Sequence, residues 1–461
     1  MFLYFFLPFA LLLYYISPRR GKNIVLLILS LFFYAWGEPI YIGLMIFSAI
    51  SDYFHGLYIF KFRENQPLKA KIILISSLCL NIGLLSFFKY GDFLIENVNV
   101  WFDSHIGPLN LPLPIGISFY TFQTMSYSID VYRGHSLPQK NPIALATYVT
   151  LFPQLIAGPI VRYEIIADQL VKRKTMISQF TEGIRLFIIG LGKKVLLANN
   201  IGLLWFNIQN QNVSELTVLT AWLGIIAFTF QIYFDFSGYS DMAIGLGKMF
   251  GFDFPQNFRY PYLAKSITEF WRRWHMTLGT WFRDYVYIPL GGSRKGKVRL
   301  YLNLLLVWGL TGFWHGASWN FLLWGLYFGV LISIEKAGLL RLLHKLHPII
   351  QHLYAFFFIV CGWVLFSFED YAIGLVYLKI MLGLTDHPLL DSFFLYHFYT
   401  NGVLLAIGII ASTPLCLHIQ QKLENRFVST ILLPIIYAGI LLLSTAYLVD
   451  ESYNPFLYFR F

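Results

Sequence analysis

Leu300–Ile334 reads LYLNLLLVWGLTGFWHGASWNFLLWGLYFGVLISI, and His315 is the one group in it that titrates near neutral pH. As a single α-helix these 35 residues would run about 52 Å at 1.5 Å per residue, against a hydrocarbon core about 30 Å thick. The stretch must therefore break, and Gly312 and Gly316, around the histidine, are where the break is expected. Basic clusters flank it, Arg294–Arg299 before and Lys336–Lys345 after. Both ends are thus expected in the cytoplasm, with His315 near the turn of a membrane hairpin. An ionisable group at membrane depth costs energy and is usually functional. Imidazole is the cheapest to keep there because it can stay neutral at pH 7, and neutral imidazole can accept a proton from a hydroxyl. The alternative is a structural histidine that donates to a carbonyl bared by the helix break.

The rest of the chain supports a membrane setting. Of 461 residues, 57% are hydrophobic and 13% charged, about half the charge of a soluble domain. No long polar stretch could form a separate domain, so one integral-membrane domain over residues 1–461 is expected. The net charge of +10 sits in short clusters between apolar runs, such as Arg19-Arg20-Gly21-Lys22 and Lys172-Arg173-Lys174. Such clusters mark cytoplasmic loops rather than a nucleic-acid surface. Cys79, Cys361 and Cys416 have no metal or disulfide spacing. The apolar run Met1–Ile16 carries its arginines after it, unlike a signal peptide, so a retained first helix is expected.

Loops then alternate basic, acidic, basic through Gly37-Glu38-Pro39 to Lys61–Lys71. The run Ile24–Trp36 has 13 residues, about 20 Å of helix, too short for an ordinary span. Further helices are expected over roughly 72–90, 143–160, 181–206, 216–234, 300–314, 316–334, 350–368, 398–418 and 429–448. Residues 107–133, with Pro108, Pro112, Pro114 and Gly116, read as a broken or re-entrant segment. The expected fold is an all-α polytopic bundle of about 11–13 membrane segments. No GxxxxGK[ST] phosphate loop suggests an ATP-driven pump.

Two other stretches could carry chemistry. Along Ser266–Tyr285 a helical wheel puts Phe270, Trp274 and Trp281 on one side. Glu269, Arg272, His275, Met276, Gly279 and Arg283 fall on the other. One amphipathic interfacial helix is expected, its arginines meeting either phospholipid headgroups or an anionic ligand beside His275. In Phe234-Asp-Phe-Ser-Gly-Tyr-Ser-Asp241, Asp235 and Asp241 could fix a histidine tautomer, pair with Arg272 or Arg283, or cap a helix.

Taken together these elements resemble the membrane-bound O-acyltransferase (MBOAT) family, in its bacterial alginate O-acetyltransferase (AlgI) type. The matching pieces are Trp36–Pro39, Phe152–Pro159, Phe234–Asp241, Glu269-Phe-Trp-Arg-Arg-Trp-His275 and Tyr287–Gly292. Gly312-Phe-Trp-His-Gly-Ala-Ser-Trp319 and the closing Asn454–Phe461 complete them, in order along the chain. The resemblance implies a funnel of short, tilted helices, with His315 catalytic as general base and His275 the second family histidine. Arg272, Arg283, Asp235, Asn257 and Trp314 are the candidate substrate-binding residues. No metal or bound cofactor is implied, and acetyl-CoA is the expected acyl donor. The resemblance also implies a multi-pass protein of the bacterial cytoplasmic (inner) membrane, in contact with lipid. Its acceptor would be an exported polysaccharide of the alginate, cellulose or peptidoglycan kind, reached with a periplasmic acetyltransferase partner. D-alanyl transfer towards teichoic acid, from a carrier-protein thioester, is the related alternative. A transporter or flippase without catalysis is the unrelated one.

Overall fold

The computed structural model of the chain describes residues 1–156, 158–422 and 428–450. The Asn454–Phe461 element lies outside the described residues, as does Ala157 within the Phe152–Pro159 element. Every regular element among the described residues is helical. Among the described residues seven helices are long and apolar enough to cross a bilayer, and Phe2–Ile16, Lys22–Gly37 and Tyr371–Met381 are shorter apolar helices. In Ser392–Ala411 and Thr430–Asp450 only 11% and 6% of the apolar window is buried by protein. Their Leu and Ile side chains therefore need a hydrocarbon solvent, so the chain is a multi-pass helical membrane protein. The short run around Ile24–Trp36 extends only to Lys22–Gly37, 16 residues and about 24 Å.

The chain packs as two compact units. The first comprises Met1–Phe187 with Met242–Pro255. Its centre is the mutual packing of the helices Ile42–Arg63, Pro67–Phe102 and Ile117–Arg133. Between them lies a closed polar cluster. Ser77, Ser128 and Asn81 all donate to the Asp52 carboxylate, and Thr124 donates to Asn81 Oδ1 at 2.8 Å. Expectation and structure differ at two places here. Residues 107–133 are irregular only as far as Gly116, whose φ of +76° ends the proline-rich loop; from Ile117 the chain is an unbroken helix to Arg133. The span expected over 143–160 is instead Pro142–Thr150 followed by the single turn Phe152–Leu155. Pro153 lacks the N–H that would continue the first helix.

The second unit comprises Ile188–Asp241 with Gln256–Phe461. A π-helical turn at Lys193–Asn199 interrupts the long helical run Ile177–Gln209. Lys193 pairs with Asp241 and Lys194 with Asp235, both at 2.7 Å. Both acids lie inside the helix Val218–Met249, which continues well beyond the expected 216–234. The 300–334 stretch does form a hairpin, of helices Lys297–His315 and Trp319–Ile334. It breaks at extended Gly316, whereas Gly312 stays helical. Gly312 and Gly325 face one another so closely that a Cβ on either would strike backbone of the other helix. Small residues at a crossing bring two membrane helices together in this way.

The amphipathic helix expected over 266–285 does not form as one piece. Ile267–Trp271 and Met276–Phe282 are separate short helices, and His275 between them has φ +42°. Long-range hydrogen bonds hold the kink: Met276 N–H donates to Asn257 O and Arg259 N–H to Arg273 O, each at 2.9 Å. The Glu335 carboxylate, 1% exposed, accepts from the N–H groups of Ile267 and Thr268 and so caps the first of the two helices.

Candidate active site

His315 is the last residue of its helix and is 2% exposed. Its Nδ1 lies 2.7 Å from the carbonyl oxygen of Thr311, one turn earlier. A carbonyl only accepts, so Nδ1 carries the proton, and in a neutral ring Nε2 then holds the lone pair. The helix break makes this possible, because the carbonyls of a last turn have no onward backbone donor. Aromatic rings wall the imidazole: Trp324 at 4.8 Å between centroids, Trp314 at 5.1 Å and Phe366 at 5.8 Å.

His275 is 1% exposed, beside Phe236 at 4.7 Å and Trp314 at 6.0 Å between ring centroids. Its Nδ1 is 3.1 Å from Asn257 Oδ1. That amide is oriented by its other bonds: Oδ1 accepts from Thr277 N–H and Thr277 Oγ1, while Nδ2 donates to Ser240 Oγ. Asn257 Oδ1 thus accepts from His275 Nδ1–H, leaving the His275 Nε2 lone pair buried with no hydrogen-bond partner. Burial first, and the neighbouring His315 second, push the His275 pKa well below the ordinary imidazole value. Trp314 stands beside both imidazoles, and each has its Nδ1 held by a protein oxygen.

The structure gathers His315, His275, Asn257 and Trp314. Arg272 and Arg283 stay apart from them: both are exposed, and Arg283 is bonded to the adjacent Asp284 at 2.7 Å. With His275 turned inward by its left-handed backbone, the three do not share a helix face. Asp235 neighbours Phe236 in sequence, and its carboxylate pairs with Lys194 as that of Asp241 pairs with Lys193. Sequence reasoning missed Thr311, Ser240 and Thr277 as partners of the site. Thr311 alone had a local signal, four residues before a histidine at an expected break. Among the described residues, one group has metal-ligand geometry: Asp130, His135 and Glu164 in the first unit, with ligand atoms within 4.8 Å. Glu164 there is already paired with Arg162 at 2.9 Å.

Residues 45–369 match the model of the membrane-bound O-acyltransferase family. Over the whole chain the sequence is 37% identical to a Pseudomonas putida protein named "Probable alginate O-acetylase AlgI", covering 99% of it. It is 35% identical to the Helicobacter pylori peptidoglycan O-acetyltransferase, covering 100% of this chain and 96% of that protein. The Bacillus subtilis teichoic acid D-alanyltransferase is 29% identical over 50% of this chain and 60% of its own length. On the family match and the full-length similarity, the chain belongs to the membrane-bound O-acyltransferase family and is an O-acyltransferase.

Proposed function

We propose that the protein transfers an acetyl group from a thioester donor, acetyl-CoA, towards hydroxyls of an exported cell-envelope polysaccharide. His315 is the general base. A hydroxyl oxygen attacks the thioester carbonyl while its proton passes to His315 Nε2. The tetrahedral centre then collapses, the carbon–sulfur bond breaks, and the leaving thiolate takes the proton back. General base catalysis of this kind contributes about 10²–10⁴-fold. The observation that carries the reading is the His315 Nδ1–H bond to Thr311 O, which leaves Nε2 as acceptor inside an aromatic, water-poor wall. His275, kept neutral with its own Nε2 lone pair, suits holding a substrate O–H or N–H better than donating to an oxyanion.

The full-length similarity to enzymes named for alginate and peptidoglycan acetylation supports a polysaccharide acceptor over teichoic acid, where the match covers half the chain. The setting is the bacterial cytoplasmic membrane, and a periplasmic acetyltransferase completes the transfer. Purified protein in detergent, given acetyl-CoA and its partner or an acceptor, should release free CoA thiol. Release from a D-alanyl carrier-protein thioester instead, with acetyl-CoA inert, would reassign the donor. Transport without any thiol release would remove the enzymatic mechanism.

A further inference from the structure

In the first unit several cations crowd together without acids to balance them. Lys22 Nζ stands 4.3 Å from the centre of the Tyr14 ring and 5.3 Å from that of Tyr15. Arg173 lies over the same Tyr14 ring at 5.5 Å and over Phe252 at 4.4 Å. Arg173 is held in place, donating to Tyr14 OH at 2.8 Å and to Asn23 Oδ1 at 2.7 Å. Lys172 and Lys174 beside it are exposed. Among the described residues no carboxylate pairs with Lys22, Lys172, Arg173 or Lys174. Two cations sharing one aromatic ring repel each other, and an anion at this place relieves that repulsion.

Lys172, Arg173 and Lys174 line an open pocket of about 440 Å³. Lys248, also in its wall, is already bonded to Glu182 and Asp253. Adjoining it through Met176 is a second, apolar pocket of about 260 Å³ lined by Tyr15, Thr175, Met176, Ile177 and Phe180. Met176 is 60% and Ile177 87% exposed, so their apolar surface is uncovered right beside unpaired cations. All of this lies at helix ends: Ile16 closes one helix, Lys22 opens the next, and Ile177 opens a third. Helix ends of a membrane bundle sit at headgroup level, and basic pockets there bind anionic headgroups.

We infer that this paired pocket binds one anionic phospholipid. The phosphate sits among Lys172, Arg173 and Lys174, and an acyl chain runs along Met176, Ile177 and Phe180. A free phosphate would satisfy the cations and leave the apolar half uncovered, whereas an amphiphile covers both. The test uses the full chain in non-ionic detergent, titrated with phosphatidylglycerol or phosphatidylcholine, with complexes counted by native mass spectrometry. One phosphatidylglycerol should be retained on the order of tenfold more tightly than phosphatidylcholine. Lys172→Gln with Lys174→Gln should erase that preference, and Lys174→Gln alone should reduce it. Neutralising Arg294 and Lys295, an equal change of charge elsewhere, should leave it intact. The inference is overturned if the Lys172/Lys174 double variant keeps the preference, or if the Arg294/Lys295 control loses it equally. It also fails if inorganic phosphate displaces phosphatidylglycerol from the wild type as effectively as the lipid itself.

Discussion

Asp52 and His275 are equally hidden, at 0% and 1% exposure, yet their surroundings differ in one respect. Both oxygens of the Asp52 carboxylate receive hydroxyl or amide donors, and the donor Asn81 is itself bonded onward to Thr124. His275 is held at Nδ1 by Asn257 but its Nε2 has no partner. A polar cluster closed on itself fixes three helices to one another. One left open at a single lone pair can still accept from a group outside the protein, the use that the proposed function makes of it.

The largest effect should come from His315. His315→Asn keeps a hydrogen bond to the last helical turn but cannot take a proton. Acetyl transfer per folded molecule should fall about 10²–10⁴-fold, or about 3–5 kcal/mol of barrier, with membrane yield unchanged. Thiol release near the wild-type rate at wild-type yield would withdraw His315 as the base. Asp52 should behave in the opposite way. Asp52→Leu strands the buried donors of Ser77, Ser128 and Asn81, at about 1–3 kcal/mol for each left unsatisfied. A lower yield and thermal midpoint should follow, with turnover per folded molecule near normal and Asp52→Asn intermediate. A well-folded Asp52→Leu without activity would break the contrast.

The smallest effect is a pH slope. Burial holds His275 neutral in the folded protein, while the unfolded chain takes up a proton below about pH 6.5. A depressed histidine pKa means that the unfolded state binds more protons in acid. Stability is therefore full above about pH 6.5 and falls as pH drops below it, by about 1.4 kcal/mol per unit. Unfolding midpoints at pH 6.5 and 5.5 should differ more in the wild type than in His275→Asn. Equal differences in the two proteins would mean that His275 is free to protonate in place.

How much of this could be read beforehand depends on the range of the forces involved. The break at His315 was legible because it follows from counting: an uncharged run of 35 mostly apolar residues, as one helix, exceeds a bilayer whatever its partners are. The 266–285 segment misled because a helical wheel assumes one continuous helix. Asn257 and Arg259, lying before the segment, pull the backbone at His275 into a left-handed turn that no local periodicity records. Asp235 and Asp241 misled in the same manner, since Lys194 and Lys193 lie more than 40 residues away in sequence, on another helix. His315, His275, Asn257 and Trp314 could be named from motifs, but the direction of each lone pair required the folded backbone.

The close approach of Gly312 and Gly325 bears on how readily this site can be altered. With backbone lying against backbone at this crossing, the distance between the two hairpin helices there is set without a side chain between them. His315 therefore stands on a hinge-free mount, while Trp324 and Phe366 form a lining that can be exchanged around it. Under the proposed function, recognition and reactivity fall to different parts: an engineer seeking another acyl group or acceptor would recut the aromatic lining and leave the glycines alone.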